Sequence, residues 1–315
     1  MINTEKTFGI LAYPATHSLS PVIHNAGFKK LNLPYNFEVF DVPPEELGAF
    51  MSSLKDKNAN KCKNIHGFSV SMPHKQAIIP FLDEIDEDGQ AVGAISCVYR
   101  KDDKFIGTNL DYIGGRDSIS QSNFYSNFSA TSHSDSTPIS YSGTFTVPGR
   151  RKAIVLGAGG AAAAAIYGLK QLNITPILFN RTFKKAEEIA DRFNKNSKGP
   201  FVEAFPLSEI NNVLNANSQD QSSDIEIIIN CTSLGLEKDL KIVPDEVFSK
   251  MKLALDAIYS DKPTIFQIQA LEIGNNGQGA ELLTGLDWLL HQGYKAFEIW
   301  TEHPAPKGVM SETIK

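Results

Sequence analysis

The chain has 315 residues, 42% of them hydrophobic and 21% charged, with a formal net charge of −6. That length suggests about two domains, since roughly 100–200 residues make one. The acidic balance argues against nucleic acid as a main partner, because a phosphate backbone needs a basic surface. The longest apolar stretches, such as the one within Ile225 to Ile229, are strand-sized and far below the ~20 residues of a membrane-spanning helix. Met1 to Lys6 has no apolar core, so no secretory signal is expected there. Cys62, Cys97 and Cys231 stand far apart without metal-ligand spacing and are expected to be reduced thiols of a cytoplasmic protein.

Taken in order, Thr7–Ala12 reads as a first strand, followed by the loop Tyr13–Ser20. Pro21–Leu31 reads as a helix, with Ser20 as its N-cap and Pro21 at its first position. Tyr35–Val42 alternates as a strand does, and a helix from Pro43 to about Leu54 follows. After a polar loop from Asp56 to Asn64 comes a third strand, Ile65–Ser71. A turn at Met72–Lys75 leads into a helix, Gln76–Leu82. Gly93–Arg100 and Phe105–Asn109 read as strands joined by a hairpin-like turn at Lys101–Lys104. Residues Ser118 to Gly149 are rich in Ser, Thr and Asn and read as an exposed insertion.

Ala153–Leu156 then meets the turn Gly157-Ala158-Gly159-Gly160, which opens into an alanine-rich helix, Ala161–Leu172. Gly157, Gly159 and Ala162 match the dinucleotide fingerprint G-x-G-x-x-[G/A]. In that motif the first glycine makes the turn, the second admits a pyrophosphate, and the helix N-terminus faces the anion. Strand–helix alternation continues through Thr175–Asn180, Thr182–Phe193, Ile225–Asn230, Lys252–Tyr259, Thr264–Ile273 and a last helix, Trp288–Trp300, stopped near Pro304. The fold class expected is therefore α/β, with a parallel sheet in each half and the second half doubly wound.

Ligands of such sheets bind at the carboxyl ends of strands. The polar residues there are Ser18, Ser20, Ser71, Lys75, Asn109 and Asp111 in the first half, and the loop Asn230–Leu236 in the second. An NAD site carries an acidic residue about 20 positions after the glycines. Here that place is neutral Asn180, followed by Arg181, Thr182, Lys184 and Lys185. An arginine pairs bidentately with a 2′-phosphate and stacks on adenine, so NADP is the expected cofactor.

Together the motifs resemble the shikimate dehydrogenase family, which includes shikimate/quinate dehydrogenases. The matching pieces are Ser18–Asn25, Val70–Lys75, Gly107–Asp111, the Gly157 turn, Asn180–Thr182, Asn230–Gly235, Asp256–Tyr259 and Gln292-Gly293. They fall in family order and cover nearly the whole chain outside Ser118 to Gly149. Phe297–Thr301 and Ala305–Lys307 resemble the fungal branch. The resemblance implies a substrate domain (1–117, completed by 286–315), an insertion or linker (118–149) and a Rossmann domain (150–285). It implies NADP-linked interconversion of 3-dehydroshikimate and shikimate in aromatic amino acid biosynthesis. Lys75 and Asp111 would be the catalytic pair. Ser18, Ser20, Ser71, Ser96, Asp111, Tyr259 and Gln292 would hold substrate. Gly157, Ala158, Gly159, Gly160, Ala161, Asn180, Arg181, Thr182, Lys185, Thr232, Ser233 and Gly235 would hold NADP. The partner is then a small cyclic hydroxy acid, with no nucleic acid, membrane or metal, and the protein a monomer or homodimer.

The chain departs from the family pattern at Ser96, where an asparagine is usual, at Leu110 and at Trp288. These departures keep three other readings open: a dehydrogenase for quinate or another cyclic hydroxy acid, a non-catalytic ligand sensor of the same fold, and, more remotely, a folate-linked dehydrogenase. The Ser18-Leu19-Ser20 loop argues against the last.

Overall fold

The computed structural model describes residues 5–55, 64–126, 151–195, 200–218, 224–234 and 240–314. The chain divides into two compact units, Met1–Ile113 with Leu289–Lys315, and Gly114–Trp288. Cys62, Gly235 and most of the Ser-rich insertion (127–149) lie outside the described residues.

The first unit holds strands β1 (Lys6–Ala12), β2 (Tyr35–Asp41), β3 (Ile65–Val70), β4 (Glu84–Ile85), β5 (Cys97–Lys101) and β6 (Lys104–Thr108), in the order β2-β1-β3-β5-β6-β4. Its helices are α1 (Ser20–Lys30), α2 (Leu47–Lys55), α3 (His74–Ala77), α4 (Glu87–Val92) and the start of α5 (Asp111–Ser120). β1 pairs in parallel with β2 and β3, whereas the β5–β6 hairpin runs antiparallel, β5 also against β3. The sheet is thus parallel from β2 through β3 and again at β6–β4, antiparallel at its centre, and mixed overall rather than parallel as expected.

Alternation along the strands splits the core into two faces. Leu11, Phe40 and Phe68 pack with Met51, Ile78 and Phe105 on one side. On the other, Phe8 stacks on Trp300 at 5.4 Å and His24 on Phe37 at 4.6 Å. Phe28 lies 5.3 Å from Phe297. These rings explain why the chain's end belongs to the first unit. A Cβ on Gly67 would sit 2.5 Å from the Trp300 Nε1, so the glycine is the slot for the indole, which donates to Val98 O at 3.1 Å.

The second unit is a six-stranded parallel sheet of β7 (Arg151–Leu156), β8 (Thr175–Asn180), β9 (Glu203–Pro206), β10 (Asp224–Asn230), β11 (Leu253–Asp256) and β12 (Glu281–Leu283), ordered β12-β11-β10-β7-β8-β9. Counted from β7 this is the doubly wound order 3-2-1-4-5-6, whose direction reverses between β7 and β10. The helices are α6 (Gly160–Gln171), α7 (Phe183–Asn194), α8 (Ile210–Ser218), α9 (Asp245–Phe248), α10 (Ile265–Gly277, non-helical at Gly274–Asn276) and the start of α11 (Gly285–Thr301), whose remainder belongs to the first unit together with α12 (Lys307–Glu312).

Several boundaries differ from the sequence expectation. The helix expected at Gln76–Leu82 is a short α3 followed by a 3₁₀ turn at Ile79–Phe81, because a proline at position 80 interrupts it. The insertion expected to be exposed from Ser118 is not exposed at its start: α5 reaches Ser120, and Ser118, Ile119 and Ser122 are buried. Glu281 then accepts the N–H groups of Asn123 and Phe124. Among the described residues, no helix is long and apolar enough to cross a membrane.

Candidate active site

In the first unit, the loops after β1 and β3 leave the sheet at the same end, tied by Tyr13 N–H donating to Met72 O at 3.1 Å. Buried His74 anchors α3 through a 2.7 Å bond between its Nε2 and Val42 O. Its neighbour Lys75 accepts the Ile95 N–H at 2.7 Å through its carbonyl. With its backbone clamped on both sides, Lys75 reaches across and donates from Nζ to Asp111 Oδ2 at 2.6 Å. The aspartate side chain is 4% exposed and that of the lysine 22%. A carboxylate this deeply buried is tolerable because a cation faces it.

The start of α5 aims that carboxylate. Asn109 is wholly buried; its Nδ2 donates to Ala94 O, and its Oδ1 accepts from Tyr112 N–H. Ser96 Oγ accepts from Leu110 N–H at 2.7 Å and from Asp111 N–H at 3.3 Å. These two side chains satisfy the first amides of the helix. Asp111, the first helical residue, therefore spends none of its carboxylate on capping.

The serines divide by partner. Ser18 Oγ accepts from Ser20 N–H at 3.3 Å, so it shapes the loop into α1. Ser20 is the first residue of α1 rather than its N-cap; Leu19 holds the cap position without a side-chain bond. The hydroxyls of Ser20 and Ser71 and the amide of Gln292 make no hydrogen bond to any described residue, and are free to serve a ligand. Gln292 lies on α11 beside Gly293, where an added Cβ would meet only His24 Nε2, at 3.8 Å.

The second unit carries the glycine turn at the end of β7. Gly157 has φ +105°, and a Cβ there would stand 2.9 Å from Cys231 O. Both facts require glycine. Gly159, by contrast, has extended backbone and nothing within 4 Å of an added Cβ. Open space thus lies at the N-terminus of α6, where no side chain caps the free amides. Gly160 begins that helix, flanked by half-buried Ala158 and Ala161, while Ala162 is fully buried against the sheet. The arrangement fits a pyrophosphate.

At the end of β8, Asn180 Nδ2 donates to Thr182 O at 2.8 Å and folds the loop back. Arg181, Thr182, Lys184 and Lys185 are exposed, and none of the three cations joins an ion pair among the described residues. Helix α7 starts there without a side-chain cap or an acidic residue in its first turn. Three cations at a positive helix end invite an anion. Thr232 and Ser233 follow β10, and half-buried Tyr259 follows β11; burial raises the Tyr259 phenol above its usual range.

Two of the departures from the family pattern are packing residues. Trp288 is 5% exposed and lies against Gly114 and Gly115 of α5. Leu110 is 3% exposed. The sequence reading counted Asn109 among the polar residues at strand ends without giving it this supporting role, and it did not single out His74.

A family model described as the shikimate dehydrogenase substrate binding domain matches residues 10–98, and one described as the shikimate 5′-dehydrogenase C-terminal domain matches residues 285–315. The chain is 31% identical over 312 residues to the shikimate dehydrogenase (NADP(+)) of Shouchella clausii, with 98% of each chain covered. It is 32% identical to the pentafunctional AROM polypeptide of Yarrowia lipolytica, a match that takes in all of this chain and 18% of that polypeptide. Among solved structures, a shikimate dehydrogenase in complex with NADP+ matches at TM-score 0.77 and 30% identity, over 98% of this chain and 94% of that one. The Thermus thermophilus enzyme in complex with NADP(H) and shikimate matches at 0.72 and 26%, over 98% of each. A 5-ketofructose reductase from a Gluconobacter species matches at 0.71 and 25%, over 98% of each.

Proposed function

Because the chain belongs to the shikimate dehydrogenase family, we propose that it catalyses the NADP-dependent, reversible reduction of 3-dehydroshikimate to shikimate. The observation that carries this reading is the 2.6 Å Lys75–Asp111 pair, in a unit that also holds the unengaged Ser20, Ser71 and Gln292. Met1–Ile113 with Leu289–Lys315 serves as the substrate unit, and Gly114–Trp288 as the cofactor unit.

The reduced nicotinamide, when bound, supplies a hydride to the ketone carbon. The ketone oxygen must then gain a proton, and Lys75 Nζ is the donor. Asp111 holds and aims that amine, and Ser96 and Asn109 keep Asp111 in place. In the reverse direction the neutral amine takes the hydroxyl proton. Ser20, Ser71 and Gln292 orient the ring hydroxyls and carboxylate, with Ser18 shaping the loop into α1. Gly157, Ala158, Gly159, Gly160 and Ala161 hold the pyrophosphate. Asn180, Arg181, Thr182 and Lys185 take the 2′-phosphate side, and Thr232 and Ser233 line the remainder. The enzyme works on small molecules as a monomer or homodimer, in the cytoplasm, and its described cysteines Cys97 and Cys231 are not joined in a disulfide.

A second reading, a dehydrogenase for quinate or another cyclic hydroxy acid, is favoured by one observation. Ser96 Oγ is occupied by two backbone amides, so this wall offers a ligand less than a free asparagine amide would. A steady-state assay with shikimate, quinate and related acids, each with NADP and NAD, tests both. Turnover of shikimate with NADP is expected. Absence of turnover in a folded protein that binds NADP defeats the first reading, and a preference for another acid establishes the second.

A further inference from the structure

Asp256 ends β11 wholly buried, and the proton-transfer chemistry does not use it. Four donors surround its carboxylate. Oδ1 accepts from Asn230 Nδ2 at 2.9 Å and from Ile258 N–H at 3.2 Å. Oδ2 accepts from Thr264 Oγ1 at 2.7 Å and from Gln267 Nε2 at 3.1 Å. Charged partners are lacking in this set, and burial raises the carboxyl above its usual range. Such a group is costly to keep in a core unless its hydrogen bonds do something an apolar side chain cannot.

What they do can be followed outward. Asn230 ends β10, the neighbouring strand, and its Oδ1 accepts from both Thr232 N–H at 3.0 Å and Thr232 Oγ1 at 2.8 Å. The Thr232 amide is an obligate donor, so Asn230 must turn its oxygen toward the loop and its NH₂ toward Asp256. With its proton committed to Asn230, Thr232 Oγ1 accepts from Leu234 N–H at 3.2 Å. The chain of bonds has one direction, from Leu234 through Thr232 and Asn230 to the carboxylate. The second Oδ1 bond, from Ile258 N–H, pins the residue before Tyr259. One buried carboxylate thereby sets the loops that follow two adjacent strands.

We infer that Asp256 is a positioning residue, which acts through Asn230 to fix the Thr232–Leu234 loop against the cofactor and through Ile258 to fix the start of the Tyr259 loop. The inference rests on the reading of Thr232 and Ser233 as cofactor-facing, and the test separates the two.

NADPH binding is titrated by fluorescence, and amide hydrogen exchange is followed, for the wild type, Asp256→Asn, Thr232→Ala and the double variant of the full chain. Asp256→Asn keeps the shape but places an NH₂ among four donors. It should raise the NADPH Kd roughly tenfold, the scale of one lost hydrogen bond to a charged group. Exchange at Thr232, Leu234 and Ile258 should accelerate while the β7 amides stay protected. Thr232→Ala should raise the Kd comparably, and the double variant should add little to either. Where Asp256→Asn does not fold, Asn230→Asp tests the same link, since it replaces the donating amide with a second carboxyl; raised Kd and faster exchange are again expected. Wild-type Kd and wild-type exchange in a folded variant at either position, or full additivity with Thr232→Ala, overturn the inference. A wild-type Kd in Thr232→Ala, with exchange at Leu234 raised, overturns the cofactor reading of the loop and leaves the Asp256–Asn230 link supported.

Discussion

Ser96 Oγ accepts the Leu110 N–H at 2.7 Å and so takes the place of a helix cap for α5 from the position just before β5. Its consequence is felt one residue later, at Asp111, whose carboxylate is left for Lys75. Replacing Ser96 by alanine leaves the Leu110 amide buried without its acceptor. A loss of about 1 kcal/mol in urea unfolding is expected, the usual cost of a lost cap. A fall in kcat larger than the change in KM should accompany it, because the displaced group is Asp111. A variant that loses stability but keeps kcat would show that Asp111 does not depend on Ser96.

Lys75 is the proposed proton donor, so Lys75→Met should lower kcat by roughly 10²–10⁴, the usual contribution of a positioned acid–base group. Substrate KM should move far less. The variant also leaves Asp111, 4% exposed, without its cation. Breaking a buried pair from one side costs about 3–5 kcal/mol when the remaining charge stays ionised, and Asp111→Asn in the same background should recover part of that loss. Near-wild-type kcat in Lys75→Met would remove the lysine from the chemistry.

The two glycines of the turn should respond in opposite ways. Gly157→Ala forces a side chain onto φ +105° and to within 2.9 Å of Cys231 O, so it should cost stability by at least about 1 kcal/mol. Gly159→Ala has room for its methyl and an extended backbone. It should leave the thermal midpoint near the wild-type value and weaken NADPH binding by filling the space a phosphate would take. Calorimetry and a fluorescence titration on the two variants check the contrast. Unchanged NADPH affinity in Gly159→Ala would place the pyrophosphate elsewhere.

Arg181 is exposed at the start of α7, beside Lys184 and Lys185. Arg181→Ala should weaken NADP binding by roughly tenfold to a hundredfold, the scale of lost charge-assisted bonds of about 1.5–3 kcal/mol. NAD binding should change little, since it lacks the 2′-phosphate. Measuring both dissociation constants decides the point, and equal losses for the two cofactors would assign Arg181 to adenine stacking alone.

The glycine turn and the Asn180–Arg181 step could be read from their own residues at strand ends, whereas Lys75 and Asp111 were joined as a pair only through the family resemblance. The supports were harder to read. Ser96 caps a helix that begins 15 residues later, and Asp256 reaches Asn230 across 26 residues; such pairings exist only once strands are neighbours. The small helix α4 was legible in principle and went unread. Asp86 accepts from Gly89 N–H, and Gly93 closes the helix at φ +68°, a cap-to-glycine signature around a helix of six residues. The short strands β4, β9 and β12 carry no such signal, because their pairing is decided by the neighbouring strand.

His24 supplies a prediction that concerns stability. Its ring lies between Phe37 and Phe297, with Trp300 at 5.1 Å, and is 2% exposed. Nδ1 has no hydrogen-bond partner among the described residues, and burial lowers the pKa from 6.5 to about 3. In the unfolded chain the same imidazole titrates near its ordinary value of about 6.5. Above that pH it is neutral in both states and contributes no pH dependence. As pH falls below it, the unfolded state takes up a proton that the folded state refuses, so stability declines until the folded pKa is reached. At pH 5 the loss from this one residue is about 2 kcal/mol. His24→Phe keeps a ring among the aromatics and removes the titration. Urea unfolding at pH 7 and pH 5 should therefore show a smaller drop in the variant than in the wild type, by about that amount. Equal drops in the two proteins would mean that the imidazole finds a partner for its proton in the folded state.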